Sequence, residues 1–133
     1  MTKFKTIRQT VTLGATPQKV YEAYVDPGKH AAFTGSKAMG TSRVGGRFTS
    51  WDGYISGKWL VLEKGRRIVH EWTTTEWPEG HPPSKVVLTF AQKGSKTLLR
   101  MVHSGVPAEQ AGNYADGWME FYWEPMKKYF LKG

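Results

Sequence analysis

The sequence predicts an α+β fold: a strongly curved antiparallel sheet of about six or seven strands wrapped around a long C-terminal helix, with two short helices after the first strand. Three observations predict it. From Val44 to His81 the chain is a run of short stretches with a tryptophan on nearly every one and a Gly-bearing turn between most of them, the pattern of an antiparallel meander. From Ala108 onward aromatic residues recur at helical spacing. A chain of 133 residues supports one core rather than two, so residues 1–133 are expected to form a single domain. The aromatic face of the helix then has one surface large enough to bury it, the concave face of the sheet.

Phe4 to Leu13 alternates, with Ile7, Val11 and Leu13 set among Lys, Thr, Arg and Gln, and reads as the first strand. Gly14-Ala15-Thr16-Pro17 ends it and starts a helix, with Thr16 as N-cap and Pro17 at the first helical position. Val20, Tyr21, Tyr24 and Val25 form the apolar stripe of that helix, and Asp26-Pro27-Gly28 breaks it. Lys29 to Thr34, carrying Phe33, reads as a second short helix. The meander strands are Lys37–Arg43, Arg47–Trp51, Tyr54–Glu63, Arg66–Thr75, Lys85–Gln92 and Thr97–His103. Gly45-Gly46, Asp52-Gly53, Lys64-Gly65 and Gly94-Ser95 turn between them, because these residues tolerate positive φ. Glu79 to Pro83 makes one wider loop. Ala108 to about Lys132 is one helix of about 25 residues, about 37 Å long at 1.5 Å per residue. Tyr114, Trp118, Phe121, Tyr122, Pro125 and Tyr129 lie on or near one stripe, and Pro125 should kink it. Such a helix-grip arrangement often leaves a hollow between helix and sheet.

Strand parity proposes which residues face that hollow. Val86, Leu88 and Phe90 share a face; so do Leu99, Met101 and His103, and Ile68, His70 and Trp72. Ile55, Gly57, Trp59 and Val61 go together. Apolar residues stand on both faces in places, so parity alone leaves the inward side open.

Composition excludes several functions. Without cysteine there is no disulfide, thiolate zinc site or Cys nucleophile. No stretch approaches the roughly 18 apolar residues of a membrane helix, and the N-terminus lacks the apolar segment of a signal peptide. A reduced, cytoplasmic protein without membrane insertion is expected. The net charge of +8, from 19 Lys and Arg against 11 Asp and Glu, is dispersed over turns, edges and helix surfaces. It reads as a basic surface rather than a specific nucleic-acid interface. An acidic protein partner sits between these readings.

Neutral-pH acid–base chemistry has four histidines to draw on, His30, His70, His81 and His103. None has metal-ligand spacing, and no phosphate-cradling or nucleotide-binding glycine motif is present. No metal and no cofactor are expected. His103 shares parity with Met101 and would face the helix near Trp118. It reads as a core histidine bonded to a backbone carbonyl or a Tyr hydroxyl, or as a general base paired with Glu63, Glu71 or Tyr122. Six Trp, six Tyr and six Phe either fill the core or line a cavity or partner surface. Trp72 and Trp118 fit core or cavity wall; Trp77, beside Pro78 in a turn, fits exposure and partner contact.

Gly45-Gly46-Arg47-Phe48, Asp52-Gly53, Ser56-Gly57-Lys58, Ile68-Val69, Trp72 and the loop Trp77-Pro78-Glu79-Gly80-His81 together carry a resemblance, extended by Leu88-Thr89-Phe90, Gly105-Val106-Pro107, Gly117-Trp118 and Tyr122. The chain resembles, from about Lys5 onward, the C-terminal domain of the activator of Hsp90 ATPase. That family falls within the helix-grip superfamily of START and birch-pollen-allergen (Bet v 1) proteins. The resemblance implies a co-chaperone-type contact with an Hsp90-type chaperone. In stand-alone relatives it also implies a hollow for a small apolar ligand, and some superfamily members are cyclases or lyases. No residue here matches a catalytic set. A non-enzymatic binding module is therefore ranked first, a carrier or sensor of a small hydrophobic ligand second, and an enzyme using His103 third. The cavity is expected to be lined by Phe33 from the second helix, by Trp59, Trp72, Phe90, Met101 and His103 from the sheet, and by Trp118 and Tyr122 from the long helix. The partner surface is expected at Trp77, Pro78, Glu79 and His81, pointing outward.

Overall fold

A computed structural model describes residues 3–131. The chain runs β1 (Phe4–Leu13), α1 (Pro17–Val25), α2 (Pro27–Thr34), β2 (Met39–Gly40), β3 (Arg47–Ser50), β4 (Ile55–Glu63), β5 (Arg67–Thr74), β6 (Ser84–Lys93), β7 (Lys96–Pro107), α3 (Ala111–Trp118), a π-helical turn (Met119–Trp123) and α4 (Glu124–Leu131). The seven strands form one antiparallel sheet in the order β1-β7-β6-β5-β4-β3-β2. β1 pairs with β7 across the whole chain, so the last strand closes against the first. The helix-grip fold is the one expected.

The helix starts follow their caps. Thr16 accepts a hydrogen bond from the Lys19 N–H, with Pro17 at the first position of α1. Asp26 both ends α1 and caps α2, accepting from the Lys29 N–H at 2.9 Å. The second helix therefore begins at Pro27, two residues before the expected start, because a proline at a first helical position gives up a donor that has no partner there anyway.

Other boundaries moved for identifiable reasons. The strand expected over 37–43 shrinks to Met39–Gly40. Ser42 Oγ instead donates to Val25 O, and the Arg43 N–H bonds Thr41 O, which turns the chain. β7 runs to Pro107 rather than stopping at His103, since Lys5 pairs with Val106 beyond an irregularity between Lys5 and Ile7. In β4 a bulge between Trp59 and Val61 resets the alternation. Leu62, not Val61, then packs on the core beside Trp59.

The inward face carries Val86, Leu88 and Phe90 of β6, Leu99, Met101 and His103 of β7, and Ile68, His70 and Trp72 of β5, all buried. The C-terminal helix covers them. It begins at Ala111 rather than Ala108 and is not one uniform helix; its expected end at Lys132 lies outside the described residues. The Glu124 N–H bonds Met119 O, five residues back. The proline ring of Pro125 would collide with the carbonyl four residues before it, and widening the preceding turn relieves that collision. The extra residue rotates the stripe. Trp123 joins Trp118 and Tyr122 inside, while Phe121, expected within the stripe, is 47% exposed.

Candidate functional site

The helix and the sheet meet through aromatic rings. Trp72 of β5 stacks near Trp118 (centroids 6.0 Å apart) and meets the Tyr114 edge at 4.9 Å. Trp118 stacks in turn on Trp123 at 5.3 Å. On the open side of this stack lies a cavity of about 520 Å³. Its walls are Trp51, Tyr54 and Ile55 from the β3–β4 turn and the start of β4, Trp72 from β5, and Tyr114, Trp118, Phe121 and Tyr122 from the helix. Glu76, Gln110 and Asn113 supply the polar groups in its lining. The β3–β4 turn is unusual. Trp51 and Asp52 have φ of 53° and 56° and Gly53 has 91°, three left-handed residues in succession. A bulky aromatic in that region costs of order 1–3 kcal/mol. The turn sets the Trp51 ring edge-on to Phe121, 5.4 Å between centroids.

Of the expected cavity residues, Trp72, Trp118 and Tyr122 line this space. Phe33 lies instead beside a separate hollow of about 290 Å³ with Pro125 and Tyr129. Trp59 is buried against Phe48, ring centroids 4.4 Å apart. Phe90, Met101 and His103 are packed in the core. Sequence reasoning missed Trp51, Tyr54, Ile55 and Glu76. The helical spacing of Tyr114, Trp118 and Phe121 was visible, but the left-handed turn that brings Trp51 across from them was not.

Two buried hydrogen-bond chains run behind the cavity wall. Ser50 Oγ donates to the Tyr122 hydroxyl (3.1 Å), which donates to His30 Nε2 (3.0 Å), and His30 Nδ1–H donates to Tyr24 O (2.9 Å). The Tyr24 hydroxyl donates to His70 Nε2 (2.8 Å), and His70 Nδ1–H donates to Glu71 O (2.8 Å). In the second chain Trp118 Nε1–H donates to His103 Nδ1 (3.0 Å), so His103 carries its proton on Nε2 and gives it to Ser84 Oγ (2.8 Å); Ser84 donates onward to Trp72 O. Carbonyl acceptors and the indole donor fix each tautomer, and each imidazole is neutral with both nitrogens used. Burial pushes His30 and His70 from 6.5 down to about 4 and His103 to about 3. Burial likewise raises the Tyr24 and Tyr122 hydroxyls.

His103 is thus bonded to a serine and an indole, not to a carbonyl or Tyr hydroxyl, and Glu63, Glu71 and Tyr122 are not among its hydrogen-bond partners. A base needs a free lone pair facing its substrate, and this one has none. Among the described residues no group of three or more His, Asp or Glu converges where a metal could sit. No helix among them is long and apolar enough to cross a membrane.

Two side chains of the loop after β5, Trp77 and His81, turn inward rather than outward as expected, while the tip of the loop stays at the surface. Trp77 is half-buried against Trp72 and Tyr114, and its Nε1–H is shared between His81 O and Pro82 O, both at 3.1 Å. His81 is buried and bonded to Gly105 O. An indole donor and an imidazole at that spacing close the loop on itself and pin it to β7. Glu79 and Gly80 are exposed at its tip, with Pro78 half-buried. The cavity thus has flat apolar walls with Glu76, Gln110 and Asn113 as its polar groups, and the ring nitrogens of His30, His70 and His103 are all engaged behind it.

Comparison with known proteins agrees with the geometry. The model of the family described as "Activator of Hsp90 ATPase homolog 1-like protein" matches residues 14–131. The human activator of 90 kDa heat shock protein ATPase homolog 1 is 33% identical over 122 residues, 92% of this chain and 36% of its own length. The chain spans little more than a third of the curated relatives it matches. Among solved structures, the HSP90 activator PFC0360w from Plasmodium falciparum superposes with a TM-score of 0.77 at 25% identity, covering 88% of this chain and 89% of that one. Ara h 8.0201 superposes at 0.78 with 10% identity over 98% of this chain and 100% of that one, a likeness of fold alone. The chain belongs to the family of activator of Hsp90 ATPase homolog 1-like proteins.

Proposed function

We propose that this chain is a non-enzymatic binding module of the Hsp90-activator type, working by contact with an Hsp90-type chaperone in the cytoplasm. The family match over residues 14–131 carries the reading. The saturated, neutral state of His30, His70 and His103 supports a role without catalysis, since the buried groups best suited to move protons are all committed to holding the fold. Titration against the chaperone of the same organism, followed by calorimetry and by its ATP hydrolysis, tests it. Binding with a change in hydrolysis is expected; no binding at tens of micromolar, with hydrolysis unchanged, sinks the reading.

The cavity favours a second reading, a carrier or sensor of a small hydrophobic ligand. Its volume of about 520 Å³ falls within the range of small-molecule sites, and its aromatic walls suit a flat apolar molecule. Trp51, Trp72 and Trp118 would report occupancy by fluorescence. Native mass spectrometry of the purified protein and titration with lipids and aromatic compounds decide it, and absence of a retained mass together with unquenched fluorescence removes it.

A further inference from the structure

The face of the sheet turned away from the helix is not a plain polar surface. An antiparallel sheet with one solvated face ordinarily alternates apolar-in with polar-out. Here the register sets Val102 opposite Val87, Val87 opposite Val69, and Val69 opposite Val61. Three of these valines stand between buried core residues on their strands: Met101 and His103, Val86 and Leu88, Ile68 and His70. They therefore point away from the helix, and the β4 bulge puts Val61 on the same side. Arg8 of β1, opposite Val102, ends the row. Four inter-strand steps make the row about 19 Å long. Val69 is only 7% exposed yet stands outside the core cluster, so neighbours on the outer face cover it. The other three are half-buried.

Cations flank this row. Arg100 and Arg67 lie about 7 Å to one side, two residues along their strands, and Lys85 to the other. Lys58, with Arg47 opposite it, extends that second flank. Around this row the outer face carries six cations, Arg8 included, against two carboxylates, Glu63 and Glu71, a local net of +4, and Lys93 and Lys96 share the same parity at the β6–β7 turn. Arg67 is bridged to Glu63 at 3.2 Å, while Arg8, Arg47, Lys58, Lys85 and Arg100 make no ion pair among the described residues. β-propensity explains valine in a strand; it does not explain four in one row between two cationic flanks.

We propose that this outer face, the row Val102–Val87–Val69–Val61 between its cationic flanks, is a docking surface for an acidic protein partner. An apolar centre with a charged rim is the anatomy of a protein interface, and a rim of one sign selects a partner of the other. A second copy of this chain would bring like charge against like. Nucleic acid fits less well, because the face presents no aromatic ring for a base to stack on. Identifying the partner as an Hsp90-type chaperone rests on the family reading; the surface itself does not.

Two probes separate those claims: the purified chaperone of the same organism, and poly-L-glutamate. The chain is isotopically labelled, and amide shifts are mapped with each. Both are expected to move signals at Arg8, Lys85, Val87, Arg100 and Val102 and to leave Tyr114–Tyr122 in place. The double substitution Arg8→Glu/Arg100→Glu should weaken binding at least about tenfold, while Lys19→Glu/Lys128→Glu, the same charge change on the helices, should weaken it less than about threefold. Val87→Lys makes the face more positive and should still weaken binding, because it breaks the row. Equal losses in both double variants, unchanged binding in Val87→Lys, shifts confined to the helix side, or tighter binding of a single-stranded RNA of equal charge would each overturn the proposal. A chaperone that does not bind, with poly-L-glutamate still mapping to the row, would leave the surface standing and remove the chaperone as its partner.

Discussion

Lowering the pH from 7 to 5 should strip this fold of a large part of its stability, and three histidines set the size of the effect. His30, His70 and His103 are neutral in the folded chain, held at about 4, about 4 and about 3 by burial. In the unfolded chain each returns to an ordinary value near 6.5. Folded values below the unfolded ones mean that the unfolded state binds more protons between those limits, so stability falls as pH falls from about 6.5. The loss continues until pH reaches the folded values and then stops growing. Each histidine contributes about 1.4 kcal/mol per pH unit inside the window. At pH 5 the three together cost on the order of 6 kcal/mol, comparable with the whole stability of a small domain, about 5–15 kcal/mol. Urea unfolding followed by tryptophan fluorescence at pH 7.5, 6.5, 5.5 and 5.0 measures it, with the urea slope checked for constancy. Replacing His30 by Gln should reduce the pH slope by about a third whatever it does to absolute stability. A stability flat between pH 7 and 5, or imidazole signals of His30, His70 and His103 titrating between pH 6 and 7 in the folded protein, would refute the reasoning.

Other substitutions test the packing. Trp118→Phe leaves His103 Nδ1 without its indole donor and should cost about 1–3 kcal/mol in thermal or urea unfolding. Gly57→Ala would drive a methyl into Glu71 O and the Phe48 ring, costing about 3 kcal/mol or preventing folding altogether, as judged by circular dichroism. Tyr54→Phe removes an exposed hydroxyl that donates to Glu76 and should change stability by no more than about 0.5 kcal/mol. Trp51→Gly removes both the left-handed strain and the ring packed on Phe121; if the cavity holds a ligand, affinity should fall at least about tenfold with stability little changed, as titration on the two proteins would show.

The residues made some of this legible and hid the rest for physical reasons. The alternation of Val86, Leu88 and Phe90 and of Leu99, Met101 and His103 reads directly, because their strands pair on both sides without a bulge between those residues. Trp59 and Val61 could not be resolved that way, since one bulged residue flips everything after it. The helix stripe read correctly at Tyr114, Trp118 and Tyr122 but not at Phe121, because a π turn before Pro125 exchanges Phe121 for Trp123. The histidines read as core residues but their partners did not. Tyr122 reaches His30 across 92 positions of chain, Tyr24 reaches His70 across 46, and Ser84 and Trp118 reach His103 across 19 and 15, through contacts that only the closed sheet creates. The Trp77–His81 segment carried the family resemblance, and its indole and imidazole turn out to close the loop.

Mixing labelled chain with unlabelled chaperone in the presence of ATP, and following amide signals as the chaperone is added, tests the binding account in one measurement. The account predicts saturable broadening at tens of micromolar, concentrated on the outer face of β7, β6 and β5, with ATP hydrolysis changing over the same concentrations. Unperturbed signals at saturating chaperone, together with an unchanged hydrolysis rate, would contradict it.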